Sequence, residues 1–140
     1  MSNAHPDARS LKGRTMVIIA VILSVALIHI LRVGTYFGGT TFKLYYSYFS
    51  DIVVPFGMYF LLCLKEVSIS FLRGWRVKSV LVFALGAFTE VAQAFGAPLL
   101  GRTFDPLDFT MFAAGALFAA FVDRIVFTSV FGFWSLKDAH

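Results

Sequence analysis

The stretch Thr15–Leu31 reads TMVIIAVILSVALIHIL, seventeen residues without Asp, Glu, Lys or Arg, closed by Arg14 before it and Arg32 after it. A hydrocarbon core about 30 Å thick needs about 20 mostly apolar residues in a helix rising about 1.5 Å per residue. The run therefore reads as a membrane span, with the two arginines snorkelling toward the headgroups. It is long for a signal-peptide core and no A-x-A-like site follows, so an uncleaved first helix is expected. Composition agrees. Of the 140 residues, 59% are hydrophobic and 14% charged, against about 45–50% and about 25% in soluble domains. So small a soluble domain has too little interior for that apolar content. The 17% of aromatic residues excludes disorder, and a single cysteine, Cys63, excludes a disulfide framework.

Three more apolar runs follow. Leu44–Leu64 contains one charge, Asp51, and opens on Tyr45, Tyr46, Tyr48 and Phe49, which suit an interfacial aromatic belt. Ser79–Gly101 contains only Glu90, and Phe109–Val122 contains none. In the last run Gly115 with Ala119 and Ala116 with Ala120 place small residues one turn apart, a face that lets helices approach closely, in this chain or another. The expectation is an all-α integral membrane protein: a four-transmembrane-helix bundle with helices near 15–33, 44–64, 78–97 and 106–131, one membrane domain over 14–136. The apolar tail 125–136 either extends the fourth helix or lies in the interface. Residues 1–13 are polar and expected to be flexible, and Ser2-Asn3-Ala4 reads as a tag remnant.

Four spans put both termini on one side. The N-terminal segment, the middle loop and the C-terminal part hold nine of the 12 basic residues, leaving Arg32, Lys43 and Arg102 opposite. The positive-inside rule then predicts cytoplasmic termini in a multi-pass cell-membrane protein. Topology accounts for the pI of about 9.5, and no nucleic-acid partner is implied.

Ionisable side chains inside spans are costly and point to function by default. On this topology His29, Arg32, Asp51, Glu90, Gln93, Arg102, Asp105 and Asp108 all fall in the outer half. Structural roles compete for several. Asp105-Pro106-Leu107-Asp108 makes a good helix start, with Asp105 as N-cap. Arg32 can anchor at headgroups, His29 can be a hydrogen-bonded interior residue, and Asp51 can cap the second helix. Glu90 lies about 17 Å along its helix, with no turn nearby to cap. Its structural alternative is a buried pair with Arg102 or Arg32.

Such a group can bind a hard cation through oxygen or share a proton. Glu90, Asp105 and Asp108 are the candidate catalytic residues. Gln93, Arg102, Asp51, Arg32 and His29 are candidate ligand-binding residues, with arginine suited to a phosphate or carboxylate. No cofactor is evident, although a divalent cation fits the carboxylates. A structural zinc site is disfavoured, because the one cysteine lies at the opposite face.

Glu90-Val91-Ala92-Gln93, Gly101-Arg102, Asp105-Pro106-Leu107-Asp108 and Gly115 resemble the signature of the VanZ-like family, small membrane proteins named for a teicoplanin-resistance protein. The family's earlier D-x-x-x-H-x-x-x-Y element is matched by Asp51 and Tyr59, with Pro55 where His is usual. The Asn common after D-x-x-D is absent, Phe112 lying near that place. The resemblance implies four or more helices and cell-envelope phenotypes such as glycopeptide resistance; it carries no established reaction. Three functions follow as expectations. One is an outer-leaflet site for a membrane lipid or lipid-linked envelope precursor. Another is a non-catalytic module, assembling with a membrane partner or as a homo-oligomer, whose charges form a packing network. The third is a small transporter with Glu90 as proton relay.

Overall fold

The structure, a computed structural model, describes residues 8–31, 36, 38–96 and 105–135. Arg32, Arg102, most of the polar N-terminal segment and the end of the apolar tail lie outside the described residues. Helix α1 spans Ala8–Ile30, α2 Gly39–Leu44, α3 Ser50–Lys65, α4 Trp75–Ala94, α5 Pro106–Phe121 and α6 Phe127–Val130. A wide π turn, Tyr45–Phe49, joins α2 to α3, and another, Val122–Val126, joins α5 to α6. No strand occurs among the described residues.

Among the described residues, three segments are long and apolar enough to cross a membrane: α1, α4 and the continuous Pro106–Val130. The second expected span is helical without a break from α2 through the π turn into α3, which itself has 16 residues. Within α3, Pro55 has no N–H to give the carbonyl four residues back, that of Asp51, so the helix ladder opens at the first polar position. Helix α1 starts at Ala8 rather than near 15, because the segment before Arg14 continues in helical register and its Gly13 lies against the Phe133 ring.

The long helices alternate in direction. Helix α5 packs on both α3 and α4, and α1 packs on α3. The α3–α5 seam is closest: a Cβ on Gly115 would stand 2.2 Å from the Ile52 carbonyl oxygen. Phe112, Gly115, Ala116, Ala119 and Ala120 are the buried positions of α5, spaced three and four apart on one face. The small-residue face expected from the sequence is therefore spent inside the chain. Lipid-like surroundings give no hydrophobic drive between helices, so contact this close is what dispersion requires. Around the seam Ile18, Tyr59, Phe60, Cys63, Val82 and Trp134 form the core. Leu23, Ile30, Val80, Phe88, Leu117 and Ile125 point outward, each more than half exposed, an apolar exterior that suits lipid.

After Val130 the chain leaves the helix and folds Trp134 back into the bundle, 2% exposed. The tail to 135 thus extends the fourth helix as far as Val130 and then turns into the bundle, where the alternative expectation laid it in the interface. Its rings, Phe127, Phe131 and Trp134, pack edge-to-face or tilted against one another at 4.7–6.4 Å between centroids.

Candidate functional site

At the end of the bundle where α3 and α5 begin and α4 finishes, acidic side chains from three helices meet. Glu90 is 3% exposed. Gln93, one turn further along α4, donates to it through Nε2 at 3.3 Å, and the Asp105 backbone N–H reaches its other oxygen at 3.4 Å. Asp51 and Asp108 come within hydrogen-bonding reach of each other, with Glu90 and Asp105 close enough to act on both. Asp105 caps α5, accepting from the Leu107 N–H at 2.9 Å, with Pro106 at the first helical position. That local chemistry brings Asp108 onto the side facing α3. The Gln93 Oε1 atom is buried without a hydrogen-bond partner.

The other candidates fare differently. His29 is exposed and belongs to the rim. Its Nδ1 donates to the Val25 carbonyl at 2.9 Å, which leaves Nε2 to accept from Ser50 Oγ at 3.3 Å, one residue from Asp51. Arg32 and Arg102 lie outside the described residues. Tyr59, which pairs with Asp51 in the family motif, is eight residues along α3, so about 12 Å away at 1.5 Å per residue. Its hydroxyl serves the other end of the bundle.

There, reasoning from sequence missed a second centre. Arg14 opens α1's apolar stretch, Glu66 follows α3 directly, Lys78 sits one turn into α4, and Asp123 lies in the π turn after α5. All four are buried, at 5%, 3%, 1% and 3% exposure. Arg14 turns inward instead of snorkelling and donates from Nη2 to Glu66 Oε2 at 2.5 Å. Lys78 Nζ donates to Glu66 Oε1, to Asp123 Oδ2 at 3.0 Å and to Cys63 Sγ at 3.3 Å. Two neutral donors complete Asp123: the Tyr59 hydroxyl on Oδ2 and Trp134 Nε1 on Oδ1, each at 2.8 Å. The cations also lie over rings, Lys78 at 4.6 Å from the Tyr59 centroid and Arg14 at 5.0 Å from that of Trp134. Two cations balance two carboxylates, which is what makes burial of all four tolerable.

The sequence held a usable signal for this centre. Alternating helices put positions 14, 66, 78 and 123 at one level, and Glu66 and Asp123 are acidic residues flanking apolar runs at the end where most basic residues fall. The ligand atoms of Cys63, Glu66 and Asp123 lie within 4.8 Å of one another, a spacing a metal could use. The Lys78 ammonium already bonds to all three, so the position of a cation is taken by a side chain. No family model, curated protein or solved structure matches the chain.

Proposed function

We propose that the protein is a four-span membrane protein with both termini in the cytoplasm, whose carboxyl-lined end binds or acts on a lipid-linked or cell-envelope component in the outer leaflet. The observation that carries the reading is the convergence of Asp51, Glu90, Asp105 and Asp108 from three helices beside a buried, unpartnered amide oxygen of Gln93. Packing alone gives no reason to gather four acids where the described side chains add no cation. Facing carboxyl groups can hold a hard cation through oxygen, or one proton between them. Glu90, Asp105 and Asp108 then serve as proton-transfer or cation-binding groups, Asp51 and Gln93 orient the ligand, Arg102 holds its phosphate or carboxylate, and Arg32 is a further ligand-binding residue. His29 stands at the entrance. The resemblance to the VanZ-like family gives this reading its direction toward glycopeptide, including teicoplanin, susceptibility.

The packing-network alternative finds its own support at the opposite end, where three ion pairs join Arg14, Glu66, Lys78 and Asp123. The two ends of the bundle thus support different roles. The test is mass spectrometry of lipid that copurifies with wild type, Glu90→Gln and Asp108→Asn, beside thermal stability in detergent and glycopeptide susceptibility of expressing cells. Loss of bound lipid or of phenotype with stability kept supports a site. Lowered stability with ligand and phenotype intact reduces the cluster to packing.

A further inference from the structure

The buried ion network borders a cavity of about 250 Å³ that its own pairing leaves unexplained. The cavity lies where α1 and α4 begin and the chain's two described ends meet. Four cations line it, Arg14, Arg73, Lys78 and Arg124, against two carboxylates, Glu66 and Asp123. Lys78 is consumed by both carboxylates and Arg14 uses one nitrogen on Glu66. The Arg14 Nε and Nη1 atoms are left buried with no hydrogen-bond partner. Leaving charged donors unmet in an interior costs more than leaving neutral ones. Arg73 and Arg124 are exposed at the rim, Arg73 making only a 3.4 Å contact to the Glu66 backbone carbonyl. Gly74, the N-cap of α4, is also on the wall and gives no side-chain cap, so the positive end of the helix dipole faces the same space.

A water would satisfy one orphan nitrogen but would leave two positive charges in excess. We propose that the cavity is a binding site for a phosphate-bearing anion, the headgroup of an anionic phospholipid or a free phosphate, anchored by Arg14 and closed by Arg73 and Arg124. The two unmet donors of Arg14, Nε and Nη1, lie on different edges of the guanidinium plane, and each can give a charge-assisted hydrogen bond to an anionic oxygen. The volume lies below the roughly 300–1,000 Å³ of pockets for drug-sized ligands, which fits a single phosphate group with its ester arm outside. The proposal stands apart from the carboxyl-lined end and does not depend on it.

The test uses the full chain in uncharged detergent, with thermal unfolding followed during titration with inorganic phosphate. In parallel, the protein is reconstituted in phosphatidylcholine bilayers with and without phosphatidylglycerol, and retained lipid is read by native mass spectrometry. A saturable rise in Tm with phosphate identifies a soluble anion. Selective retention of phosphatidylglycerol without a phosphate response identifies the headgroup. Arg73→Gln with Arg124→Gln, both at exposed positions, weakens whichever binding is seen by about tenfold, the size of one charge-assisted hydrogen bond. Arg76→Gln, also exposed but off the cavity wall, leaves it unchanged. Failure of both probes to bind saturably overturns the proposal, as does an equal loss in the Arg76→Gln control.

Discussion

Replacing Lys78 by Met keeps the length of the side chain and removes the ammonium that holds the two buried carboxylates. Glu66 retains Arg14 at 2.5 Å, but Asp123 is left with two neutral donors, Tyr59 and Trp134. The interior then carries one cation against two anions. Breaking a buried pair from one side costs about 3–5 kcal/mol, and 1% exposure of Lys78 gives water little chance to reduce it. Asp123→Asn alone removes a charged acceptor while leaving Lys78 on Glu66, at about 1.5–3 kcal/mol. The double variant restores neutrality with the Arg14–Glu66 pair intact. It should therefore fall short of the sum of the single losses by about 1–3 kcal/mol. The assay is unfolding in mixed micelles of increasing denaturing detergent, followed by tryptophan fluorescence. Trp134, bonded to Asp123, reports the centre directly. A Lys78→Met loss below about 1 kcal/mol, or strict additivity in the double variant, would refute a dry, charge-balanced network.

Gly115→Ala forces a methyl group onto the Ile52 carbonyl, 2.2 Å from where the Cβ must go; the helices have to part, and the loss in the same unfolding assay should be at the upper end of the about 1–3 kcal/mol of overpacking. Asp105→Ala deletes the 2.9 Å cap on Leu107 N–H and should cost about 0.5–2 kcal/mol, with the first turn of α5 losing hydrogen-exchange protection first. Cys63 is 2% exposed and bonded to Lys78. A membrane-permeant maleimide should leave it unmodified in the folded protein and label it on unfolding; rapid native-state labelling would show that the centre opens. Trp134→Phe removes the 2.8 Å bond to Asp123 while keeping an edge-to-face contact with Phe127, so it should cost about 1.5–3 kcal/mol, less than Lys78→Met.

Apolar runs and their boundaries were legible along the chain because bilayer insertion is close to a one-dimensional problem: length and hydropathy decide it. Three helices of spanning length answer that reading. In the second run hydropathy treats as uniform a segment whose helix widens at the ring-rich Tyr45–Phe49 turn and lacks one ladder hydrogen bond at Pro55. Asp105, Pro106 and Asp108 were legible for a local reason, since a helix start is set by adjacent residues. Glu90 stood out for its depth in an apolar run.

What the sequence could not convey is which way a charged side chain turns at a helix end. Arg14 and Lys78 look like interfacial anchors, and at the level of composition an anchor and an inward cation are the same residue. The difference lies in what the neighbouring helices offer. Glu66 follows one helix, Asp123 interrupts another, and Trp134 folds back from the tail, and all three contacts are remote in the chain. Alternating direction brings these residues to one level, and the Gly115 seam brings α3 and α5 close enough to bury them. By itself, then, the sequence determined that the chain suits a membrane, where its apolar runs lie and that Asp51, Glu90, Asp105 and Asp108 fall at one end. Only tertiary packing decided that an equal number of cations and carboxylates is buried at the other, because that balance is a property of four segments in contact and of none alone.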